Sequence, residues 1–370
     1  MGLACGIVGL PNVGKSTLFN ALSSAKAEAA NYPFCTIEPN VGVVALPDPR
    51  LDALAKVVTP ERILAATINF VDIAGLVRGA SKGEGLGNQF LAHIRECDAI
   101  MQVARCFDDD NVIHVENKVD PVADVQTITT ELCLKDLDTV QKRSERGRKN
   151  SKTPGKVGEL EKRAMEVCEL LSKSLDQGKP ARTVKFDDEP SQLIVKEMQL
   201  LTSKPAFFVA NVDEASLGDP SKNKHYQALE AYAKSEGAKV VAICAAIEAQ
   251  IAELPAEDRP DFLASVGLKE PGLNVLARTA FDLLGLITYF TAGVQEVRAW
   301  TIHRGDRAPQ AAGVIHTDFE RGFIKAEVIW WEDFVALGGE ARAREKGKLA
   351  IEGKDYLVRD GDVMHFRFNV

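Results

Sequence analysis

One short segment near the amino terminus constrains the fold of this chain more than any other. Residues 9–16 read Gly-Leu-Pro-Asn-Val-Gly-Lys-Ser and match the pattern G-x-x-x-x-G-K-[ST]. A strand-like apolar run precedes them and a helical pattern follows, which is the context that a phosphate-binding loop requires. Backbone N–H groups in such a loop point inward, and the dipole of the next helix attracts an anion. Lys15 should therefore reach the β- and γ-phosphates of a nucleotide, and Ser16 should bind Mg²⁺.

Two later segments have the composition of nucleotide-dependent switches. Thr36 lies 21 residues past Lys15 in an extended segment, where its hydroxyl could complete the magnesium shell when the γ-phosphate is present. Asp72 and Gly75 stand at the two ends of Asp-Ile-Ala-Gly, after another strand-like run. We expect Asp72 to support the Mg²⁺ shell without coordinating the ion directly, and the Gly75 N–H to sense the γ-phosphate.

Alternating apolar runs and helical patterns indicate the fold class. Strand-like runs at 5–8, 67–71 and 100–103, and again at 205–210 and 239–244, are separated by helical patterns. This alternation is typical of an α/β fold with a doubly wound, largely parallel sheet.

Two regions depart from that alternation. Apolar residues recur at helical spacing from about 127 to 176, interrupted by Ser-Lys-Thr-Pro-Gly at 151–155, which predicts two helices joined by a turn. From about residue 286, short alternating strands with Gly-rich turns predict a small mixed-β domain. We therefore expect a discontinuous P-loop domain at 1–122 and 200–283, an inserted helical coiled-coil hairpin at 123–199 and a C-terminal domain at 284–370.

The composition limits the setting in which the protein works. Seven cysteines are scattered without a C-x-x-C pair, which indicates buried thiols in a reducing compartment rather than disulfides or a zinc site. Neither a basic export signal nor an apolar stretch long enough to cross a membrane is present, so we expect a cytoplasmic protein. The net charge of −8 argues against binding to DNA or to anionic membranes over the surface as a whole.

A tetrapeptide that follows a buried strand is the candidate for reading the base. GTPases of this type use N-K-x-D, but the literal match at 117–120 follows an acidic segment without the apolar run of a buried strand. The better-placed candidate is Asn-Val-Asp-Glu at 211–214, after a continuous apolar run. There, Val212 replaces the usual Lys and Glu214 replaces the usual Asp, which weakens selection of guanine. Ala245, after the next strand, could supply a backbone contact to the base.

Four segments together resemble the YchF family of Obg-like ATPases. They are the loop at 9–16, Tyr-Pro-Phe-Cys-Thr-Ile-Glu-Pro-Asn at 32–40, the stretch at 72–88 that begins Asp-Ile-Ala-Gly-Leu-Val-Arg-Gly, and Asn-Val-Asp-Glu at 211–214. In the C-terminal part, Tyr-Phe-Thr-Ala-Gly at 289–293 and Asp-Gly-Asp-Val at 360–363 resemble the TGS domain of that family. The resemblance covers essentially the whole chain.

The resemblance implies a P-loop domain with a helical insertion, a β-grasp-like TGS domain and a preference for ATP over GTP. It also implies association with ribosomes and a role in translation or stress responses. The site residues that it implies are Asn12, Val13, Gly14, Lys15, Ser16 and Thr17 for the phosphates, Asn211, Val212 and Glu214 for the base, and Ser16 and Thr36 for Mg²⁺.

The position that orients the attacking water in Ras-like GTPases holds Leu76 in this chain. Leucine neither donates nor accepts a hydrogen bond, so we expect slow intrinsic hydrolysis. His114, in an acidic loop that we expect to be mobile, could take over catalysis when a partner binds; a solvated loop histidine is the alternative. A K⁺ ion could also bind beside Asn12.

A basic cluster lies in the predicted helical hairpin. Residues 141–163 hold nine basic and three acidic side chains, a net charge of +6, so the rest of the chain carries −14. Such a patch, which includes Arg146, Arg148 and Lys149, could dock on ribosomal RNA through phosphates, and the TGS domain could add a second contact. An ordinary solvated hairpin is the alternative.

Three functions are compatible with the sequence. The leading hypothesis is a switch that binds ATP and Mg²⁺ and hydrolyses the ATP slowly. The second is an Obg-type GTPase, which differs in how the tetrapeptide at 211–214 reads the base. The third is a nonenzymatic adaptor whose contact with the ribosome or RNA is controlled by the bound nucleotide.

Overall fold

The computed structural model describes residues 3–24, 40–73, 86–116 and 118–369, with the backbone alone described at 86–89. Thr36, Gly75, Leu76 and Asn117 lie outside the described residues. Contacts divide the chain into two compact units. The first holds the described residues up to 42 and from 69 to 275, and the second holds those from 43 to 68 and from 276 onward.

The strands are β1 (Ala4–Val8), β2 (Val41–Ala45), β3 (Arg62–Leu64), β4 (Thr67–Asp72), β5 (Ala99–Arg105), β6 (Ala206–Asn211), β7 (Val240–Ile243), β8 (Leu286–Ala292), β9 (Glu296–His303), β10 (Phe323–Trp330), β11 (Ala350–Glu352) and β12 (Asp362–Phe368).

The α-helices are α1 (Lys15–Ser24), α2 (Pro49–Val58), α3 (Leu86–Glu96), α4 (Pro121–Asn150), α5 (Lys156–Asp176), α6 (Glu189–Met198), α7 (Glu214–Leu217), α8 (Lys224–Glu236), α9 (Ala245–Glu253), α10 (Arg259–Ser265), α11 (Gly272–Leu283), α12 (Ala308–Ile315), α13 (Thr317–Arg321), α14 (Trp331–Leu337) and α15 (Glu340–Glu345). Single turns of 3₁₀ helix lie at Ala181–Thr183, Leu201–Ser203 and Pro220–Lys222.

A six-stranded sheet in the order β2-β4-β1-β5-β6-β7 confirms the predicted α/β fold. The pairs β1 with β4, β1 with β5, β5 with β6 and β6 with β7 are all parallel. Every residue of β5 and of β6 is buried, as expected for central parallel strands covered on both faces. Parallel strands end at one edge of the sheet, so the loops after β1, β5, β6 and β7 gather at that edge.

The two predicted helices are confirmed as α4 and α5. Their apolar residues pack together in one buried cluster that includes Val140, Ala164 and Leu171. Within this layer, the Arg143 guanidinium forms a buried ion pair with Glu161 at 2.6 Å. The turn at 151–155 therefore joins two helices that share a core.

The second sheet has the order β11-β10-β12-β8-β9-β3 and mixes parallel with antiparallel pairs. Four helices, α12 to α15, accompany these strands. Residues 356–358 contribute a single bridge between Arg307 and Leu357. The sheet also includes β3, from residues 62–64, far from the rest in sequence. The three-domain boundaries at 122, 200 and 284 stay a prediction.

The six cysteines that the structure describes are buried and carry free thiols. Burial raises the pKa of the Cys97 thiol to about 11 and that of Cys106 to about 12. These thiols therefore behave as small apolar side chains at neutral pH. None of the helices in the described parts of the chain combines the length and the apolar character that crossing a bilayer requires.

Candidate functional site

A cavity of about 890 Å³ opens in the first unit, where the loops after β1, β5, β6 and β7 meet. It brings together the predicted phosphate loop and the predicted base-reading tetrapeptide, which are about 200 residues apart in the sequence. Its lining includes Asn12, Gly14, Lys15, Ser16, Thr17, Phe107, Asp108, Asp109, Val112, Asn211, Val212, Glu214 and Ala245.

The phosphate loop is held in a shape that requires glycine at one position. Gly14 has a φ of +93°, and a Cβ built there would lie 2.1 Å from Nδ2 of Asn211. That amide group donates to the carbonyl oxygen of Val13 at 2.9 Å, and Val13 is fully buried. The side chain of Asn211 thus fastens the phosphate loop to the end of β6.

Lys15 lines the cavity and is 9% exposed. Its ammonium group donates to the Asp72 carboxylate and, at 3.1 Å, to the carbonyl oxygen of Ile73. The first residue of α1 and the last residue of β4 are therefore in direct contact. This geometry places a positive charge and an acid side by side next to the phosphate loop. Their roles at the γ-phosphate and in the magnesium shell stay predictions.

The described residues fit a hard divalent cation in their chemistry. Ser16 belongs to the cavity lining, and the Asp72 carboxylate lies beside the neighbouring Lys15. Hydroxyl and carboxylate oxygens are the ligands, direct or through water, that Mg²⁺ prefers. Thr36, the third predicted member of this set, lies outside the described residues.

The predicted base-reading residues also line the cavity. Val212 is 1% exposed, and Glu214 is exposed at the start of α7. The N–H of Ala245 donates to Oδ1 of Asn211 at 3.0 Å. Because this N–H already donates to Asn211, another backbone group of the turn after β7 would have to make any contact with the base.

The literal N-K-x-D match serves another purpose. The side chain of Asp120 accepts a hydrogen bond from the N–H of Ala123 at 3.1 Å and caps α4, and Asp120 is absent from the cavity lining that the structure describes. Asp120 therefore has a sufficient structural role as a helix cap.

His114 is buried, which corrects the alternative of a solvated loop histidine. Its side chain is 6% exposed, and its Nε2 lies 3.0 Å from Oδ2 of Asp124. The N–H of Glu116 donates to Nδ1, so the proton of the neutral ring is on Nε2 and is donated to Asp124. Burial raises the pKa of the Asp124 carboxyl. The described cavity lining does not include His114, and its catalytic role stays a prediction.

Sequence reasoning missed the loop after β5, which it treated as solvated. Phe107, Asp108, Asp109 and Val112 all line the cavity. Asn223, at the start of α8, donates to the carbonyl oxygen of Cys106 at 2.8 Å and supports this loop from outside. The signal that could have revealed the loop is its position at the carboxyl end of a central parallel strand.

The basic cluster of the hairpin is smaller than its sequence count. Arg143 is buried against Glu161, and Arg163 pairs with Asp188 at 2.5 Å. Arg146 lies 3.9 Å from Glu197, a loose contact between two largely exposed side chains. The side chains of Arg148 and Lys149 are exposed. The free positive charge therefore lies near the turn that joins α4 to α5.

Comparisons with known proteins agree with the fold. A family model described as "50S ribosome-binding GTPase" matches residues 4–138, and the YchF-GTPase_C model, described as a protein of unknown function, matches residues 286–369. A structure of the Schizosaccharomyces pombe YchF GTPase superimposes with a TM-score of 0.89 at 37% identity, covering 99% of this chain and 98% of that one.

Curated relatives match over their full length. "Ribosome-binding ATPase YchF" of Haemophilus influenzae is 57% identical, and the proteins of the same name from Bacillus subtilis and Escherichia coli O157:H7 are each 54% identical. Each alignment covers 100% of this chain and 100% of the relative. With a P-loop GTPase domain, a C-terminal YchF domain and this identity along its entire length, the chain belongs to the YchF family.

Proposed function

We propose that this protein is a cytoplasmic switch that binds ATP in preference to GTP, hydrolyses it slowly with Mg²⁺, and associates with the ribosome in translation or stress regulation. The observation that carries the proposal is the single cavity shared by the phosphate loop and the tetrapeptide at 211–214. The relatives named as ribosome-binding ATPases support the ribosomal part.

The preference for ATP rests on the chemistry of two side chains. An N-K-x-D motif recognises guanine through an Asp that accepts from its two adjacent donors. Here Val212 is buried and apolar, and Glu214 is one methylene longer than Asp. Adenine offers a donor beside an acceptor. A site without the Lys and Asp pair therefore loses less binding free energy with adenine than with guanine.

The residues of the phosphate end have distinct tasks in hydrolysis. Lys15 would give up part of its contact with Asp72 and neutralise the charge that develops on the β- and γ-phosphates. Ser16 and Thr36 would hold Mg²⁺, with Asp72 supporting the shell, and the Gly75 N–H would contact the γ-phosphate. When bound, Mg²⁺ supplies further neutralisation of phosphate charge. Leu76 cannot orient water, so turnover without a partner is slow.

His114 and K⁺ are two hypotheses about faster turnover. His114 would have to leave Asp124 to approach the phosphates, and single-turnover hydrolysis by His114→Ala with and without ribosomes tests that role; unchanged rates in both would remove it. The K⁺ hypothesis concerns Asn12, whose Nδ2 donates to the Ile113 carbonyl oxygen at 3.0 Å. Equal turnover in KCl and NaCl would reject it.

Base selection is the first prediction. We expect titration calorimetry with Mg²⁺ to give a lower Kd for ATP than for GTP. The double variant Val212→Lys with Glu214→Asp should move the ratio of the two constants towards GTP by about tenfold, the effect of about 1.4 kcal/mol. The single variant Glu214→Asp avoids burying a charge and should shift the ratio in the same direction. Val212→Leu is the matched apolar control and should leave the ratio unchanged.

Tighter binding of GTP than ATP by the wild type would favour the GTPase alternative, which the names of the matching family model and of the S. pombe structure also suggest.

Ribosome binding through the hairpin turn is the second prediction. Reversing Arg146, Arg148 and Lys149 to Glu should weaken co-sedimentation with ribosomes by at least about tenfold and flatten its dependence on salt, because phosphate contacts release counterions. Basal ATP hydrolysis should not change, since these side chains are far along α4 from the cavity-lining residues.

A control triple variant carries the same change of charge within the insertion, outside 141–163. Lys173, Lys179 and Lys185 are exposed there and can be reversed to Glu. Equal sedimentation of the two triple variants would reject the hairpin turn as the docking surface.

Ribosome binding that responds to nucleotide while wild-type hydrolysis is undetectable would favour the adaptor alternative.

A further inference from the structure

Arg105 is a charged side chain in the core of the first unit. It is the last residue of β5, is 1% exposed, and pairs in register with Asn211 of β6. Taking a guanidinium out of water costs several kcal/mol unless its N–H groups find good acceptors. Its position therefore calls for an explanation in terms of what it holds.

In the part of the chain that the structure describes, the side-chain hydrogen bonds of Arg105 go to the backbone of one loop. Nε donates to the carbonyl oxygen of Phe107 at 3.0 Å, Nη1 to that of Val112 at 2.7 Å, and Nη2 to that of Asp109 at 3.0 Å. The guanidinium carbon also lies 4.7 Å from the centre of the Phe107 ring. One planar group thus gathers residues 107–112 around itself, which a flexible ammonium group could not do.

This loop forms part of the wall of the nucleotide cavity. Phe107, Asp109 and Val112 belong both to the cavity lining and to the set that Arg105 contacts. The next residue, Ile113, accepts a hydrogen bond from Asn12 of the phosphate loop at 3.0 Å. Arg105 is therefore linked through one short backbone segment to both the wall and the phosphate loop.

We infer that Arg105 is a positioning residue for nucleotide binding: it holds the loop at 107–113 in its binding shape before the nucleotide arrives. This inference rests on the proposed function for the identity of the ligand. A preformed wall spares the nucleotide the cost of ordering the loop, so its effect appears in affinity. His114, the candidate catalytic residue, contacts Asp124 rather than Arg105. The rate at saturating ATP should therefore depend much less on Arg105.

Arg105→Lys tests the inference because it keeps the charge and loses the three-way geometry. We expect the Kd values for Mg²⁺-ATP and for ADP to rise by about the same factor, about tenfold, and KM to rise with them. The kcat value should stay within about twofold of the wild type. Binding constants within about twofold of the wild type, or a loss confined to kcat, would overturn the inference.

Arg143→Lys is the matched control. Arg143 is also a buried arginine, paired with Glu161 between the two long helices, and is absent from the described cavity lining. We expect it to lower the midpoint of denaturation without changing the Kd for ATP. If Arg143→Lys weakened ATP binding as much as Arg105→Lys, the effect would be one of general stability and the inference would fail.

Hydrogen exchange of the wild type needs no variant and tests the same point if Arg105→Lys does not fold. Backbone amides at 107–113 should exchange slowly without nucleotide and gain little protection from added ATP. Fast exchange that slows only with ATP would contradict a preformed loop. The proposed function has its own test. If the wild type bound GTP more tightly than ATP, the preference for ATP would be wrong, but Arg105→Lys should still weaken GTP binding by the same factor.

Discussion

Replacing Lys15 by methionine is expected to lower the rate of hydrolysis at saturating ATP by at least about a hundredfold. Among the described residues that line the cavity, Lys15 is the only basic side chain, and the acids Asp108, Asp109 and Glu214 line the cavity as well. Methionine has a similar length and fills the same space, so the main loss is the charge. In the variant, the Asp72 carboxylate would face the phosphates without the ammonium group that pairs with it in the wild type.

Affinity for ATP should fall together with the rate. Bringing a triphosphate next to an unpaired carboxylate adds repulsion to the lost attraction. We therefore expect both a higher Kd in calorimetry and a slower single-turnover rate with radiolabelled ATP and excess Mg²⁺. A turnover rate for Lys15→Met within about fivefold of the wild type would show that this ammonium is not the group that stabilises the transferred phosphate.

Lys204→Met is the matched control for this experiment. Lys204 is also a partly buried lysine in the first unit, and its ammonium donates to the carbonyl oxygens of Arg95 and Cys97. It is absent from the described lining of the cavity. Its loss should lower stability while leaving the rate within about twofold. Equal rate losses in the two variants would mean that Lys15→Met acts through folding.

Local sequence patterns predicted the elements that build the nucleotide site. The strand β6 is a continuous apolar run from Ala206 to Ala210 because neighbours cover both faces of the sheet, so its burial can be read from composition alone. The phosphate loop is recognisable because glycine is required where φ is positive and a Cβ would strike Asn211, as at Gly14. Such requirements are local, and the sequence carries them within a few residues.

Contacts between distant segments were not predictable in the same way. The strand β3 has three residues, too few to show a pattern, and pairs with β9 more than 200 residues later. Arg105 looks like the polar end of a strand, and its burial depends on a loop folding back over it. His114 follows a run of acids that suggests solvent, yet Asp124 on α4 draws it into the core.

Asp136 fastens α4 to the turn before β6, the strand that leads into the predicted base-reading tetrapeptide. This acid on α4 is 1% exposed and accepts hydrogen bonds from the N–H of Leu201 at 2.8 Å, and from the N–H and hydroxyl of Thr202 at 2.7 and 2.6 Å. The same hydroxyl oxygen accepts from the N–H of Ala181 at 2.9 Å. The turn at Leu201–Ser203 leads directly into β6, which ends at Asn211.

Asp136→Ala is expected to lower the free energy of unfolding of the first unit by roughly 3–5 kcal/mol, because three buried donors lose their acceptor. Urea denaturation followed by circular dichroism measures the loss. Asp138→Ala is the matched control, since Asp138 is exposed on the same helix and its removal should cost less than about 0.5 kcal/mol. Similar midpoints for the two variants would contradict the anchoring role of Asp136.

The pH dependence of the same measurement separates Asp136 from a general packing loss. Burial raises the pKa of the Asp136 carboxyl above its ordinary value in the folded protein. Between the ordinary pKa and this raised one, the folded state binds more protons than the unfolded state, so the contribution of Asp136 to stability falls as pH rises through that window and levels off above it. Asp136→Ala removes this contribution, so the stability difference between wild type and variant should shrink as pH rises through the window. A difference that instead grew with pH there would mean that the hydrogen bonds from Leu201 and Thr202 outweigh burial and lower the pKa of Asp136.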